Sequence, residues 1–268
     1  MKYTEILKKA LPVVEATGRY IREAHGKVEA QQIETKSLNS LVSYVDKTAE
    51  KLLVEGLKDI LPEAVFLTEE ETISPKKGTW RWIIDPLDGT TNFLHALPIF
   101  AISVGLEYQG EIVLGIIESV YLQETFYASK GGGAFKNGTP IQVSDRPKLS
   151  DSLLATGFPY YDFDRSPDYL QVLGNFMRKS RGIRRYGAAA IDLAYVACGV
   201  FDGFFEYSLH PWDVAAGIIL VKEAGGKISD FEGGSNYLEG KEIVASNPLI
   251  HQPILNEVAI LHRPVAKI

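Results

Sequence analysis

Apolar positions recur every three to four residues at the start of the chain. Ile6, Leu7, Ala10, Leu11, Val14, Thr17 and Ile21 form one stripe, which predicts a helix over residues 4–25. Pro12 and Gly18 count against a helix that is regular throughout. Val45, Ala49, Leu52, Leu53 and Leu57 predict a second helix over about Leu41–Ile60, with those five side chains inward. Ala64–Leu67 then reads as a strand ending in Thr68-Glu69-Glu70-Glu71, and the loop Ser74-Pro75-Lys76-Lys77-Gly78 follows. The apolar run Trp80-Arg81-Trp82-Ile83-Ile84 reads as a strand that enters DPLDGTTNF at 85–93.

The next segment is strand-rich, with apolar runs at 101–106, 112–117 and 124–128, a turn at Gln109-Gly110 and a hairpin turn at Asn137-Gly138. Lys130-Gly131-Gly132-Gly133 lacks the Gly-Lys-Ser/Thr ending of a phosphate loop and reads as a bend. Past about residue 150 strands and helices alternate. Strands are expected at 153–156, 202–206 and 243–246, and helices at 168–179, 188–199 and 212–224, with one more helix at the end. The first part (1–150) is thus expected to be α+β and the second (151–268) α/β. No low-complexity linker divides them and no repeat is visible, so one compact unit over 1–268 is expected.

The bulk numbers narrow the function. The 268 residues are 46% apolar and 23% charged, ordinary globular values. A net charge of −6 argues against a nucleic-acid partner. Cys198 is the one cysteine, which excludes an internal disulfide and a multi-cysteine metal site. The opening MKYTEILKKALPVVEA lacks the apolar core of a signal peptide, and no run nears the ~18 apolar residues of a spanning helix. A cytoplasmic protein without membrane contact is the expectation.

Candidate chemistry centres on DPLDGTTNF. Pro86 fixes φ and donates no hydrogen bond, so the chain is expected to leave the sheet there. Asp85 then ends the strand, Asp88 lies in the turn, and Gly89 permits close backbone approach. If Thr90-Thr91-Asn92 opens a helix, its free N–H groups face an anion. A strand, a turn and an Asp cap would account for part of this, but leave the first aspartate and the paired hydroxyls unexplained. Glu69 and Glu70 also follow a strand. Asp213, in HPWDVAAG at 210–217, reads on its own as a helix N-cap, and Asp46 as a solvated helix position. If these acids converge, each pair near 4 Å repels by about 4 kcal/mol at an effective dielectric of about 20. Such a cluster calls for a cation, and oxygen-only ligands favour Mg²⁺ over Zn²⁺. No Gly-x-Ser-x-Gly elbow is present, Cys198 reads as packing, and the five histidines show no ligand spacing. Metal-activated water remains as nucleophile.

The two motifs DPLDGTTNF at 85–93 and WDVAAG at 212–217, in that order, resemble the inositol monophosphatase family of Mg²⁺-dependent, lithium-inhibited phosphatases. The step Phe66–Glu70, Lys36 with Leu41-Val42-Ser43 before Asp46, and Gly187-Ala188-Ala189 with Glu206 extend the likeness over nearly the whole chain. The resemblance implies a layered αβαβα sandwich, a homodimer, and two to three Mg²⁺ per subunit. It implies that Glu69, Asp85 and the Leu87 carbonyl hold one ion, that Asp85, Asp88 and Asp213 hold a second, and that Glu69 reaches a third. Gly89 and Thr90 would seat the phosphate, and Thr90 with Asp46 would position the water. Gly187, Ala189, Glu206 and Asp213 would meet the alcohol.

The departures are specific. Thr68-Glu69-Glu70-Glu71 stands in place of Gly-Glu-Glu, which leaves Glu70 as the reserve ligand. Ser37-Leu38-Asn39-Ser40 occupies a place where relatives often carry an aspartate, so the loop near the third ion stays open. Thr91-Asn92 replaces the Lys-Glu of nucleotide 3′-phosphate relatives, which favours myo-inositol 1-phosphate or a similar polyol phosphate. Fructose 1,6-bisphosphate, histidinol phosphate and 3′-phosphoadenosine 5′-phosphate are the alternative esters. A regulatory member of the family that contacts transcription machinery is the reading from another class. Arg181, Arg184 and Arg185 form its candidate basic patch or a subunit contact.

Overall fold

The computed structural model describes residues 2–37, 40–71, 78–159 and 163–262. Its helices are α1 (Lys2–Ala24), α2 (Tyr44–Ile60), α3 (Thr90–Leu94), α4 (Ser166–Lys179), α5 (Ala189–Ala197), α6 (Pro211–Glu223) and α7 (His251–Val258). The strands are β1 (Ile33–Ser37), β2 (Ser40–Ser43), β3 (Val65–Thr68), β4 (Trp80–Asp88), β5 (Ala101–Tyr108), β6 (Glu111–Ser119), β7 (Glu124–Ser129), β8 (Gly133–Lys136), β9 (Thr139–Pro140), β10 (Leu153–Thr156), β11 (Gly182–Arg184), β12 (Gly203–Tyr207), β13 (Lys227–Ser229) and β14 (Glu242–Ser246).

Five layers follow from which faces are apolar. The stripes of α1 and α2 cover one face of a seven-stranded sheet ordered β3-β4-β5-β6-β7-β8-β9, with Ile6, Val14, Leu53 and Leu57 against Ile84, Ile102 and Ile116. Its other face packs on α5 and α6, through Ile83, Ala101 and Ile117. Those two helices are apolar on every side, as a helix between two sheets must be; Val214–Val221 are all buried. Beyond them lies a five-stranded sheet ordered β11-β10-β12-β14-β13, closed by α4 and α7 through Tyr169, Phe176, Ile254 and Leu255. The αβαβα sandwich implied by the motifs is therefore present.

Several local expectations need correction. The second helix begins at Tyr44, because Ser40–Ser43 pairs with β1 and Ser43 becomes the N-cap. Leu52 is 40% exposed, since it lies off the inward stripe. The chain does not leave the sheet at Pro86: β4 runs on to Asp88. Asp85 pairs with Ser103 and Asp88 with Ala101, so two residues, Pro86 and Leu87, oppose one on β5. The proline sits in a bulge, where no ladder donor is missed. The Leu38-Asn39 step and the Ser74–Lys77 loop lie outside the described residues. The glycine run after Lys130 is a turn, as expected, and Glu223 accepts from the Gly131 and Gly133 N–H groups, both at 2.9 Å.

Candidate active site

The bulge sets the orientation of the acids. In a regular strand residues three apart face opposite sides. The extra residue reverses that parity, so Asp85 and Asp88 share the face that carries Ser103 and Ala101, toward α6. Leu87 points the other way, into the layer under α1 and α2. Parallel pairing of β3 with β4 brings Glu69 alongside, and its N–H donates to the Ile84 carbonyl at 3.2 Å. Gly89 then takes φ +86° as the cap of α3, and a Cβ there would lie 3.0 Å from the Ile99 carbonyl.

Asp213 arrives from the start of α6. His210 is the N-cap, Pro211 the first helical residue and Asp213 the third, whose carboxylate accepts the His210 N–H at 2.7 Å. Asp213 is therefore the acid of a capping box rather than the N-cap. Asp46 holds the same place in α2. It accepts the Ser43 N–H at 2.9 Å and the Ser43 hydroxyl at 2.7 Å, and only 1% of it is exposed. It is thus not solvated. Its other oxygen meets the Thr90 hydroxyl at 3.1 Å, and that hydroxyl also stands 3.0 Å from the Leu87 carbonyl. The one hydroxyl proton goes to one acceptor or the other.

A single cleft gathers Glu69, Asp85, Leu87, Asp88, Gly89, Thr90, Gly187, Ala189, Glu206 and Asp213. Asp46 stands behind Thr90. Glu70 does not line the cleft; its N–H donates to the buried Glu50 carboxylate at 2.7 Å, which fixes the step that aims Glu69 inward.

Electrostatics mark the cluster. Burial pushes Asp85 well above the usual carboxylate range, and Glu69, Asp88 and Asp213 add repulsion. Burial likewise raises Asp88 to about 7, although the Ala190 N–H pulls it down from 2.7 Å. Asp213 is raised by burial and then by Asp88. Each aspartate has an oxygen tied to a backbone N–H, of Leu87, Ala190 or His210. Among the described residues no three His, Cys, Asp or Glu side chains close into a metal cage of their own. Mg²⁺ does not require one, since it is commonly held by one or two carboxylates and keeps several waters. The hard oxygen set, with the Leu87 carbonyl beside it, fits that ion.

The far wall comes from the other sheet. Glu206 is the penultimate residue of β12, and its carboxylate lies over Gly157, where a Cβ would meet it at 1.9 Å. Burial raises Glu206 to about 8, with Asp88 adding to the rise and Arg185 opposing it. Arg185 lines the cleft and stacks over Phe158 at 5.3 Å, while Arg181 pairs with Asp151 at 3.7 Å and Arg184 donates to the Ile183 carbonyl. The three arginines accordingly do not act as one patch.

Two residues, Glu50 and Asp192, escaped the sequence reading, and a third, Arg185, was read only as part of a basic patch or subunit contact. Glu50 lies four positions after Asp46, on the same helix face, which is a readable signal. Asp192 is the lone acid in the apolar run Ala188–Ala197, another readable signal. Arg185 precedes Gly187 by two residues but carried no spacing that distinguished it from Arg184.

Comparison with known proteins identifies the family. The model of the inositol monophosphatase family matches residues 2–263. An inositol-1-monophosphatase of Mesorhizobium japonicum is 39% identical, over 96% of this chain and 97% of its own. The Nus factor SuhB of Escherichia coli K12 is 38% identical, over 93% and 94%. Among solved structures, the extragenic suppressor protein suhB of Bartonella henselae superposes with a TM-score of 0.90 at 40% identity, covering 97% of this chain and all (100%) of that one. The Thermotoga maritima IMPase gives 0.87 at 35%, covering 95% and 97%. By sequence, by fold and by the order of its two acidic motifs, this chain belongs to the inositol monophosphatase family.

Proposed function

We propose that the cleft hydrolyses a polyol phosphate monoester, with myo-inositol 1-phosphate as the leading substrate, using two to three Mg²⁺ per subunit. The chain is a phosphatase, and its family depends in general on Mg²⁺. One observation carries the residue assignment: four acids from three separate elements meet beside a helix start that bears Thr90. Glu69, Asp85 and the Leu87 carbonyl would hold the first ion, Asp85, Asp88 and Asp213 the second, and Glu69 the edge of a third. Bound there, the metal supplies charge neutralisation and a water of lowered pKa.

The protein's own part is positioning, on which phosphoryl transfer largely depends. Gly89 and Thr90 present backbone N–H groups to the phosphate at the start of α3. Asp46 accepts the Thr90 proton, which turns the Thr90 oxygen lone pairs toward an attacking water. Asp213 binds both ion and alcohol, while Gly187, Ala189 and Glu206 line the alcohol side. The two halves of the chain contribute to one cleft, in keeping with a single functional unit. A cytoplasmic homodimer is part of this reading; among the described residues no helix is long and apolar enough to cross a membrane.

The test is phosphate release from myo-inositol 1-phosphate, fructose 1,6-bisphosphate and 3′-phosphoadenosine 5′-phosphate, each with Mg²⁺ and with EDTA. Mg²⁺-dependent preference for the inositol ester supports the assignment. Preference for another ester moves the substrate and keeps the chemistry. A second role in transcription is favoured by relatives named Nus factor SuhB, at 38% identity. Salt-sensitive RNA binding by the purified protein would support it.

A further inference from the structure

Asp192 is a buried acid in an apolar helix. It is the acid in the first turn of α5, yet among the described residues it accepts no backbone N–H there, and its neighbours Ala189, Ala190, Ile191 and Leu193 are all buried apolar residues. It is 1% exposed, and its Oδ1 has no hydrogen-bond partner among the described residues. Yet it lines the cleft, on the same wall as Glu206 and Arg185. Burial, Glu206 and Asp88 all push its carboxyl well above the usual range, and Arg185 opposes them. An acceptor kept buried and unpaired is costly, and the protein has kept it where a ligand passes.

We propose that Asp192 is a specificity-determining residue, whose Oδ1 accepts a hydrogen bond from a substrate hydroxyl next to the one that Glu206 meets. The inference rests on the polyol-phosphate reading above and names the part of the alcohol that the far wall selects. Two carboxyls beside one guanidinium line that wall with hydrogen-bonding groups for neutral hydroxyls. With the phosphate at the Thr90 end, the hydroxyls of a polyol fall against this wall. A site built to accept from hydroxyls rejects analogues that lack them.

The experiment compares myo-inositol 1-phosphate with phenyl phosphate, which has no hydroxyl, in wild type, Asp192→Asn and Asp192→Ala, all with Mg²⁺. Tm is recorded for each protein to confirm folding. The ratio of kcat/KM for the inositol ester over the phenyl ester is expected to fall about ten- to hundredfold in Asp192→Ala. KM for the inositol ester carries most of that fall. Asp192→Asn, which keeps an acceptor oxygen, falls less. Equal losses on both esters, with or without a lowered Tm, would overturn the inference, because a purely structural acid affects both alike. An unchanged ratio overturns it too. Wild type that releases phosphate from neither ester is a different result and overturns the substrate reading itself.

Discussion

The two walls of the cleft are both acidic, yet they are held differently. On the metal-facing wall Asp85, Asp88 and Asp213 are each tied to a backbone N–H, at 2.9, 2.7 and 2.7 Å. On the far wall neither Glu206 nor Asp192 receives a backbone hydrogen bond among the described residues. Backbone ties hold a carboxylate at one place, which suits an ion that occupies a fixed position. Untied carboxyls over Gly157 and within α5 can follow the hydroxyl pattern of a ligand. The contrast separates chemistry, which must be rigid, from recognition, which must match a shape.

The largest test of that contrast is Asp88→Asn. It should lower kcat by about 10³-fold or more, as loss of a charge that anchors transition-state stabilisation does, without lowering Tm. Near-normal turnover would sink the metal-facing assignment. Next comes Asp46→Asn, which leaves Ser43 capped but weakens the hold on the Thr90 proton. A fall of about 10²-fold in kcat with little change in KM is expected, within the range for proton-positioning groups. If KM alone rose, Asp46 would belong to binding instead. Glu206→Gln, on the untied wall, should cost about tenfold, mainly in KM for the polyol ester. A loss confined to kcat would erase the distinction between the walls.

The smallest effect is on stability. Asp88 rises from 3.8 to about 7 and Glu206 from 4.5 to about 8 in the folded protein. Between about pH 4 and pH 8 the unfolded chain has therefore released protons that the folded one retains. Fewer protons on the unfolded state means that metal-free stability falls as pH rises through this window. In EDTA, Tm should drop by several degrees from pH 5 to pH 8. Mg²⁺ binds the ionised acids, so its stabilisation should be larger at pH 8 than at pH 5. A Tm that is flat with pH in EDTA would contradict the proton retention of these buried acids.

Much of this was legible before any coordinates. The stripe from Ile6 to Ile21 and the runs at 101–106, 112–117 and 124–128 correspond to α1, β5, β6 and β7, because one-sided burial writes its period into the chain. The first motif gave Gly89 and the start of α3 directly. What escaped depended on partners distant in sequence. Pro86 stays within β4 only because β5 accommodates a bulge. Asp46 is buried only because β2 and Thr90 cover it, and Leu52 is exposed because the inward face of α2 is set by α1. Asp213 resembles a cap locally, and only the His210 N–H shows which partner it has.

The bulge in β4 also sets which kinds of mutation the site can survive. Removing Leu87 would let β4 and β5 pair without interruption, and the sheet would become more regular. The same change would leave Asp85 and Asp88 on one face, two residues apart, but it would remove the Leu87 carbonyl and the Leu87 N–H that donates to Asp85 at 2.9 Å. A repaired sheet would thus cost the site two backbone groups at once, the oxygen offered to a cation and the tie that fixes Asp85. Substitutions along this strand can drift within limits of size and polarity, but its length cannot, and any viable descendant of this chain must inherit the irregularity intact.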